Sequence, residues 1–178
     1  MANGLNYSDI ETLEISLGGG MDTFTVDSTM ARPDYRTVTL VNTGGGDDDV
    51  TVDLHSNTDG FFALNTEAGN DTVSGSTSTL PLVVFGGDDD DVITTGSALD
   101  IIFGDKGMVD YLDPIGTLVT RLGISLGERS VIDVPAKQTD GIAYPIAKAK
   151  TIDDDIGGVD NIDGGDGLFV FATVGCLY

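Results

Sequence analysis

The sequence predicts an all-β protein built as a parallel β-solenoid, in which short strands stack from one coil to the next. Glycine-rich loops that end in aspartate recur four times in the first half of the chain. Short segments with the two-residue apolar alternation typical of strands flank each loop, and repetition at about 20 residues is typical of solenoids. The chain has no Trp, and helix formers such as Ala, Lys and Glu do not cluster.

The composition is compatible with a packed domain. The chain has 178 residues, of which 40% are apolar, and this is enough for one domain with a core of its own. Its 25 glycines exceed the usual share, but a disordered glycine-rich tract would lack the Val, Ile, Leu and Phe residues seen here. The glycines are therefore interpreted as parts of turns.

Each predicted coil has two short strands, joined by a Gly/Asp loop at one edge and by a looser polar turn at the other. Aligned on the aspartate that precedes the second strand, the loops are separated by 26, 23 and 20 residues. Four aspartates run together in the fourth loop, so Asp90 is an alternative there to Asp91. The loops are LGGGMDTFTV (17–26), TGGGDDDVTV (43–52), EAGNDTVSG (67–75) and FGGDDDDVIT (85–94), and the aligned aspartates are Asp22, Asp48, Asp71 and Asp91.

Further units follow these four loops. The interval from Asp91 to Asp100 drops to nine residues, where GGDDDDVIT is followed directly by TGSALDIIF. The repeat resumes at Ile156, and Asp160 takes the aspartate position of the resumed unit. In the next unit, GGDGLFVF, Phe169 stands at that position, which predicts a hydrophobic C-terminal cap.

The stretch between these units predicts an insertion. Residues 107–150 carry five acidic and five basic residues, whereas the rest of the chain carries 25 acidic and three basic residues. A Pro/Gly turn at 113–116 between two apolar segments predicts a β-hairpin, and Ser130–Val134 predicts a further strand. The predicted organisation is β-roll repeats over 1–106, an inserted hairpin region over 107–150, and a resumed repeat with a cap over 151–178.

The loops offer only oxygen ligands, which are carboxylates and the backbone carbonyls that glycine allows to turn inward. Parallel stacking places the aspartates about 4.8 Å apart, and such a row is tolerable only with cations between the coils. Calcium takes six to eight oxygens, so two stacked loops would share one ion. The candidate metal-binding residues are Asp22, Asp48, Asp71, Asp90, Asp91, Asp100 and Asp160 with Gly19, Gly20, Gly45, Gly46, Gly69 and Gly87.

Residues 17–107 and 156–171 resemble the RTX, or hemolysin-type, calcium-binding β-roll, whose nonapeptide repeat is G-G-x-G-x-D-x-U-x. The resemblance implies a right-handed parallel β-roll, export from the cell and folding on Ca²⁺ binding. The chain departs from the family pattern because intervals of 20 residues or more replace tandem nines, and because few loops keep every glycine. These departures leave open how many of the sites bind an ion.

Charge and motifs exclude several classes of function. The net charge of -22 excludes nucleic acid as a partner and disfavours an anionic membrane surface. No segment has the length of a transmembrane span. The chain has one His and one Cys and lacks the common catalytic motifs, so we expect no enzyme activity.

The expected function is that of a calcium-binding structural or adhesive module, secreted or on the cell surface. The open ends of a solenoid would pair with neighbouring repeats of a longer chain or lead to end-to-end self-association, as in a surface fibre. The alternatives are the repeat part of a larger secreted protein, or a module that binds a polysaccharide, another glycan or ice. Candidate contact residues for that alternative are Thr37, Thr39, Thr51, Thr72, Thr94 and Thr95.

Overall fold

The computed structural model describes residues 4–32, 35–123, 146–152, 157–166 and 170–172, which form strands, turns and loops and include no helix. No helix long and apolar enough to cross a membrane is therefore present in these ranges. The predicted strand Ser130–Val134 and the predicted cap residue Phe169 lie outside them. The strands are β1 (Thr12–Ser16), β2 (Thr23–Val26), β3 (Ala31–Arg32), β4 (Tyr35–Arg36), β5 (Val38–Asn42), β6 (Asp49–Val52), β7 (Phe61–Asn65), β8 (Thr72–Ser74), β9 (Leu82–Phe85), β10 (Val92–Thr94), β11 (Ile101–Phe103), β12 (Gly107–Leu112), β13 (Leu118–Gly123), β14 (Ile146–Thr151), β15 (Asn161–Asp163) and β16 (Val170–Ala172).

Two parallel sheets run along the molecule, and the chain alternates between them. Sheet A has the order β1-β5-β7-β9-β11-β16, and sheet B has the order β2-β6-β8-β10-β15. Every pairing within the two sheets is parallel and in register. Each coil thus adds one strand to each sheet, which confirms the predicted all-β solenoid.

The main apolar core lies between sheets A and B. In sheet B, the residue two places after each loop aspartate points inward, and Val50, Val73 and Ile93 are at most 1% exposed. Sheet A supplies Leu64 and Val84 to the same core. The predicted alternation is therefore correct, and it is the burial of these side chains that holds the coils together.

The inserted segment covers the outer face of sheet A. Strands β12, β13 and β14 form an antiparallel sheet in the order β13-β12-β14. Its inner side packs on sheet A in a second apolar cluster, in which Tyr111 meets Phe61 edge-on with ring centroids 5.8 Å apart. Strands β5, β7, β9 and β11 are consequently buried on both faces. This explains the nearly unbroken apolar character of β7, β9 and β11. The other members of this cluster are Val38, Leu40, Ala63, Val83, Phe85, Ile101, Phe103, Val109, Val119 and Leu122.

The hairpin predicted in the insertion is present. Strands β12 and β13 are joined by residues 113–117, and the Asp113 carboxylate accepts hydrogen bonds from the backbone N–H groups of Ile115 (3.1 Å) and Thr117 (2.8 Å). Gly116 has φ of 85°, a left-handed conformation that glycine adopts at little cost. Local turn chemistry therefore accounts for this element.

Candidate metal centre

The Gly/Asp loops stack in register along one edge of the solenoid. Parallel bridges join Gly19 to Gly45, Gly45 to Ala68, and Ala68 to Asp88. The bridges continue the pairing of sheet A into the loops, so residues at the same distance before each aspartate lie above one another. This register brings the predicted loop aspartates together in one column.

The five loop aspartates form a hydrogen-bonded column, which we call the inner ladder (Asp22, Asp48, Asp71, Asp91 and Asp160). From Asp48 onward, each carboxylate reaches back to the preceding coil, where its Oδ1 accepts the backbone N–H of the preceding ladder aspartate. The four N···Oδ1 distances, in chain order, are 2.8, 2.8, 2.9 and 3.1 Å. Successive coils are thus clamped by the side chains that also carry the charge.

The second oxygen of most of these carboxylates is buried without a hydrogen-bond partner. Asp48, Asp71 and Asp91 are 2%, 1% and 1% exposed, and the Oδ2 atoms of these three residues and of Asp160 have no hydrogen-bond partner. The Thr66 hydroxyl lies near Asp71 but donates instead to the Gly86 carbonyl oxygen at 2.6 Å. A buried polar atom without a partner costs about 1–3 kcal/mol, and more when it is charged. Four such atoms lie in this one column.

Burial raises the pKa of three ladder carboxyls, those of Asp71, Asp91 and Asp160. The pKa of Asp71 rises to about 6 and that of Asp91 to about 8, in both cases chiefly because burial disfavours the charged form. The hydrogen bond from the preceding backbone opposes this effect, and neighbouring carboxylates add to it. The pKa of Asp160 is raised for the same reasons. The column therefore favours either protons or a bound cation over bare negative charge.

The loop backbone has a repeated left-handed pattern. The residues four and two places before the ladder aspartate have positive φ in the second, third and fourth loops. Glycine fills four of these six positions, and the other two carry the strain of a left-handed residue with a side chain, on the order of 1–3 kcal/mol each. Such strain is typical of binding sites. The six residues are Gly44 (105°), Gly46 (114°), Glu67 (71°), Gly69 (132°), Gly87 (120°) and Asp89 (77°).

These conformations also allow the loops to approach one another closely. A Cβ on Gly44 would lie 2.1 Å from the Gly18 carbonyl oxygen, and one on Gly87 would lie 2.0 Å from that of Glu67. Carbonyl oxygens of one loop therefore lie directly against the glycines of the next. The other predicted glycines, Gly19, Gly20 and Gly45, lie in the same stack without a left-handed φ.

A second column of side chains lies on the solvent side of the loops and was not predicted. We call it the outer ladder (Asp47, Asn70 and Asp90), formed by the residue just before the ladder aspartate in the second, third and fourth loops. The Oδ1 atoms accept backbone N–H groups of the following coil, from Asn70 (3.0 Å), Asp90 (3.2 Å) and Val159 (2.6 Å). Asp91 thus belongs to the inner ladder and Asp90 to the outer one. The sequence pattern that could have predicted the outer ladder is the recurrence of Asp or Asn at this position in three consecutive loops.

The fifth loop is assembled from both sides of the insertion. Gly87 donates its N–H to the Gly104 carbonyl (2.8 Å), and the chain leaves the loop after Lys106. The Ile152 N–H returns to the Lys106 carbonyl (2.9 Å), and Gly157–Asp160 complete the loop. Asp105 lies fully buried in this loop and was not among the predicted site residues. Its charge contributes to the raised pKa of Asp91 and Asp160.

Lys106 lies on the rim of this loop. Its Nζ lies 2.6 Å from Oδ1 of Asp88, and the two side chains are 14% and 30% exposed. The two residues take the same loop position in adjacent coils. Lys106 therefore neutralises one carboxylate outside the inner ladder.

Asp100 is the one predicted site residue that the structure separates from the others. It precedes β11 at the opposite edge, where its Oδ1 accepts the Leu82 N–H at 2.8 Å. It is 1% exposed, its Oδ2 has no hydrogen-bond partner, and burial raises its pKa. Its environment resembles that of a ladder aspartate, but it lies outside the column.

The donor set along the Gly/Asp edge consists of oxygen atoms alone. His55 is on the opposite edge, 3.7 Å from Asp53. Within the ranges that the structure describes, no group of three or more His, Cys, Asp or Glu side chains is arranged to hold a metal, so any ion here would take part of its coordination from backbone carbonyls. Comparisons of the chain with family models, curated proteins and solved structures gave no match.

Proposed function

We propose that this chain is a calcium-binding structural module of the RTX β-roll type, in which Ca²⁺ bound between consecutive Gly/Asp loops fastens the coils. The observation that carries the proposal is the inner ladder, with its column of buried carboxylate oxygens that lack a partner. One Oδ2 from each of two adjacent coils, together with carbonyl oxygens of the glycine stretches, would coordinate each ion.

Calcium suits this donor set better than other divalent ions. Zinc prefers His and Cys ligands in tetrahedral sites, and the Gly/Asp edge offers neither. Magnesium requires near-ideal octahedral geometry and gives up its water reluctantly, whereas calcium accepts six to eight oxygens in variable arrangements. A repeated edge with loops of unequal sequence favours the more adaptable ion.

Binding of calcium would be coupled to folding. The unfolded chain does not hold the carboxylates in a column, so the binding free energy contributes to the free energy of folding. Extracellular calcium modules bind with Kd of about 10⁻⁴–10⁻³ M, and the calcium concentration outside cells matches that range. The proposal therefore places the folded module outside the cell, as a secreted or surface component.

Circular dichroism with and without millimolar calcium tests this function. We expect β-sheet signal to appear on addition of Ca²⁺ to a chelated sample and to be lost again with excess chelator. Magnesium at the same concentration, as a control for simple charge screening, is expected to have little effect. A spectrum that is the same before and after exhaustive chelation would contradict the proposal.

Removal of one ladder carboxylate should weaken calcium binding. Asp71 contacts the coils on both sides. Its carboxylate accepts the Asp48 N–H, and its backbone N–H donates to the Asp91 carboxylate. We expect Asp71→Ala to lower the apparent calcium affinity on the order of tenfold or more, because a hydrogen bond to a charged group contributes about 1.5–3 kcal/mol. Titration calorimetry measures this change. His55→Ala, at the opposite edge, serves as the control and should leave the affinity unchanged.

The outer face of sheet B supports a second candidate function, which is binding of a polysaccharide or of ice. The register of sheet B stacks Thr25, Thr51, Ser74 and Thr94 in one column, and the first three are exposed. A flat column of hydroxyl groups can hydrogen-bond to a repetitive ligand. Among the predicted contact residues, Thr51 and Thr72 are exposed and Thr94 is half-buried, whereas Thr37, Thr39 and Thr95 are buried.

This second candidate is tested on calcium-loaded protein by retention on immobilised polysaccharides and by ice-recrystallisation assays. If the hydroxyl column is the contact surface, Thr51→Lys should abolish the activity that is found. His55→Lys introduces the same charge at another exposed site and should leave the activity intact. Equal behaviour of the two variants would rule out the hydroxyl column as the contact surface.

A further inference from the structure

The fifth loop is built from two separate parts of the chain, the residues up to Lys106 and residues 157–160, which we call the return segment. The hydrogen bonds that join the first four loops connect ladder aspartates 26, 23 and 20 residues apart, whereas the bond between Asp91 and Asp160 spans 69 residues. The entropic cost of bringing two points of a chain together grows with the length of chain between them. Closure of the fifth loop therefore depends more on the contacts of the return segment than closure of the other loops depends on theirs.

The return segment lies against acidic side chains. The Val159 N–H donates to the Asp90 carboxylate at 2.6 Å. A Cβ added to Gly157 would lie 1.8 Å from Oδ1 of Asp105, so this carboxylate occupies the space that a side chain at position 157 would need. The segment also brings a carboxylate of its own, that of Asp160. Closure of the loop thus gathers negative charge from both parts of the chain.

Glycines make room for carboxylate oxygens in the fourth and fifth loops. A Cβ on Gly86 would lie 2.3 Å from Oδ2 of Asp91, and a Cβ on Gly104 would lie 1.9 Å from Oδ2 of Asp160. The left-handed glycines of the second to fourth loops differ, because their nearest neighbours are backbone atoms of the preceding loop. These glycines are Gly44, Gly46, Gly69 and Gly87.

Two oxygens of different chemistry meet beside Gly86. The Cβ position that lies near Oδ2 of Asp91 is also 2.0 Å from the carbonyl oxygen of Gly104. Asp91 is 1% exposed, and neither its Oδ2 nor that of Asp160 has a hydrogen-bond partner. Asp105 is fully buried beside them, and its charge helps to raise the pKa of both carboxyls. A cation here would offset repulsion that the protein leaves uncompensated.

From this arrangement we propose a distinct calcium site, the junction site, in which an ion held by Asp91, Asp160 and the Gly104 carbonyl fastens the return segment to the fourth loop. Asp105 adds its negative charge beside the ion and strengthens binding. Carboxylates alone do not form a metal-binding group in the described ranges, so the carbonyl is a necessary part of the site. The inference rests on the proposed function and gives one ion a separate role.

That role is closure of the insertion. The other ladder sites join coils that follow one another directly in the chain, whereas the junction site joins segments separated by β12, β13 and β14. Occupancy of the junction site should therefore control the docking of β15, which begins directly after Asp160 and pairs with β10. The earlier coils have their own sites and should not depend on it.

Hydrogen exchange of the full chain, read by mass spectrometry over a series of calcium concentrations, tests the junction site. Peptides that cover β15 report the return segment, and peptides that cover β6 and β8 report the earlier coils. Asp105→Asn keeps the size of the side chain and removes its charge. It should raise the calcium midpoint for protection of β15 on the order of five- to tenfold, because the charge around a calcium site tunes its affinity. The midpoints of β6 and β8 should change less than about twofold.

Two further variants show whether the effect is specific. Asp48→Asn changes the inner ladder in the second loop and should raise the midpoint of β6 while leaving that of β15 unchanged. Asp27→Asn removes an exposed carboxylate outside the loops and should move neither midpoint. If Asp105→Asn shifts the midpoints of β6 and β15 equally, or shifts neither, the inference is overturned.

Gly157→Ala tests the same site without a change of charge. The added methyl group would displace the Asp105 carboxylate from its position against the return segment. We expect β15 to lose protection even in saturating calcium, while β6 and β8 keep theirs. Full protection of β15 in this variant would contradict the proposed packing of the junction.

The outcomes separate the junction site from the proposed function. If protection is independent of calcium in every peptide, the calcium-binding function and the junction site fail together. If protection of β6 and β8 requires calcium but Asp105→Asn has no selective effect on β15, the calcium-binding function stands and the junction site alone is wrong.

Discussion

In calcium-free buffer, the free energy of unfolding is expected to fall as pH rises from about 4 to about 8. The folded-state pKa is about 6 for Asp71 and about 8 for Asp91, against about 3.9 for an aspartate in an unfolded chain. Between these values the folded chain binds more protons than the unfolded chain, so folding is favoured by acid. The stabilisation is fully present below pH 4 and is lost as pH rises through 6 and 8.

The expected loss is large for a domain of this size. Each pH unit by which a pKa differs between folded and unfolded states corresponds to about 1.4 kcal/mol. The charges of Asp71 and Asp91 also repel one another, so the two together should remove on the order of several kcal/mol from a typical total of about 5–15 kcal/mol. Urea denaturation in chelator across this pH range measures the slope.

The effect of Asp110 on the pH dependence of stability has the opposite sign, but it falls outside this pH range. Arg121 donates two hydrogen bonds to its carboxylate, at 2.6 and 2.9 Å, and this holds the pKa of Asp110 below its usual value. A lowered pKa gives stability that is lost only as pH falls below about 4. The fall in the free energy of unfolding between pH 4 and 8 is therefore due to Asp71 and Asp91, whose pKa values are raised.

Calcium should reverse the trend, because the ion competes with protons for the same carboxylates and binds better as pH rises. Asp91→Asn should flatten the calcium-free profile above pH 6. The exposed residue Asp27 provides the control, since Asp27→Asn should leave the slope unchanged. Stability that is constant or increases with pH in the presence of chelator would contradict the ladder interpretation.

The features that sequence analysis predicted correctly are local ones. The two-residue alternation around Val50 and Val73 reports the inward face of a strand directly, and the Pro/Gly turn at 113–116 determines a hairpin through its own backbone preferences. The aspartate spacing places Asp48, Asp71 and Asp91 in one column because each interval equals a full coil. These predictions needed no knowledge of contacts between distant segments.

The features that were missed depend on where distant segments meet. Asp100 follows Asp91 by nine residues, which is about half a coil, so it lies across the solenoid although it fits the same motif. The cover over sheet A requires the insertion to fold back, and apolar residues such as Phe85 and Phe103 could equally have belonged to the single core. Asp105 joins the fifth loop only because residues beyond Ile152 return to it.

Replacement of Gly44 by alanine is expected to destabilise the protein strongly in saturating calcium. Gly44 has φ of 105°, and an added Cβ would lie 2.1 Å from the Gly18 carbonyl oxygen and 3.0 Å from its carbonyl carbon. The left-handed conformation alone costs about 1–3 kcal/mol for a residue with a side chain, and the contact with rigid backbone adds to this. We expect a total loss of roughly 3 kcal/mol or more in urea denaturation, together with weaker calcium binding.

Gly18 provides a matched control because it takes the same position in the first loop. A Cβ there would meet no atom within 4 Å, and Gly18 lacks a left-handed φ. Gly18→Ala should therefore change stability by no more than about 0.5 kcal/mol. If the two variants lose the same stability, the glycine at position 44 is not needed for the close approach of the loops. If they differ as expected, the glycine at position 44 is required because the first and second loops stack closely there, whereas a Cβ at Gly18 meets no neighbouring atom.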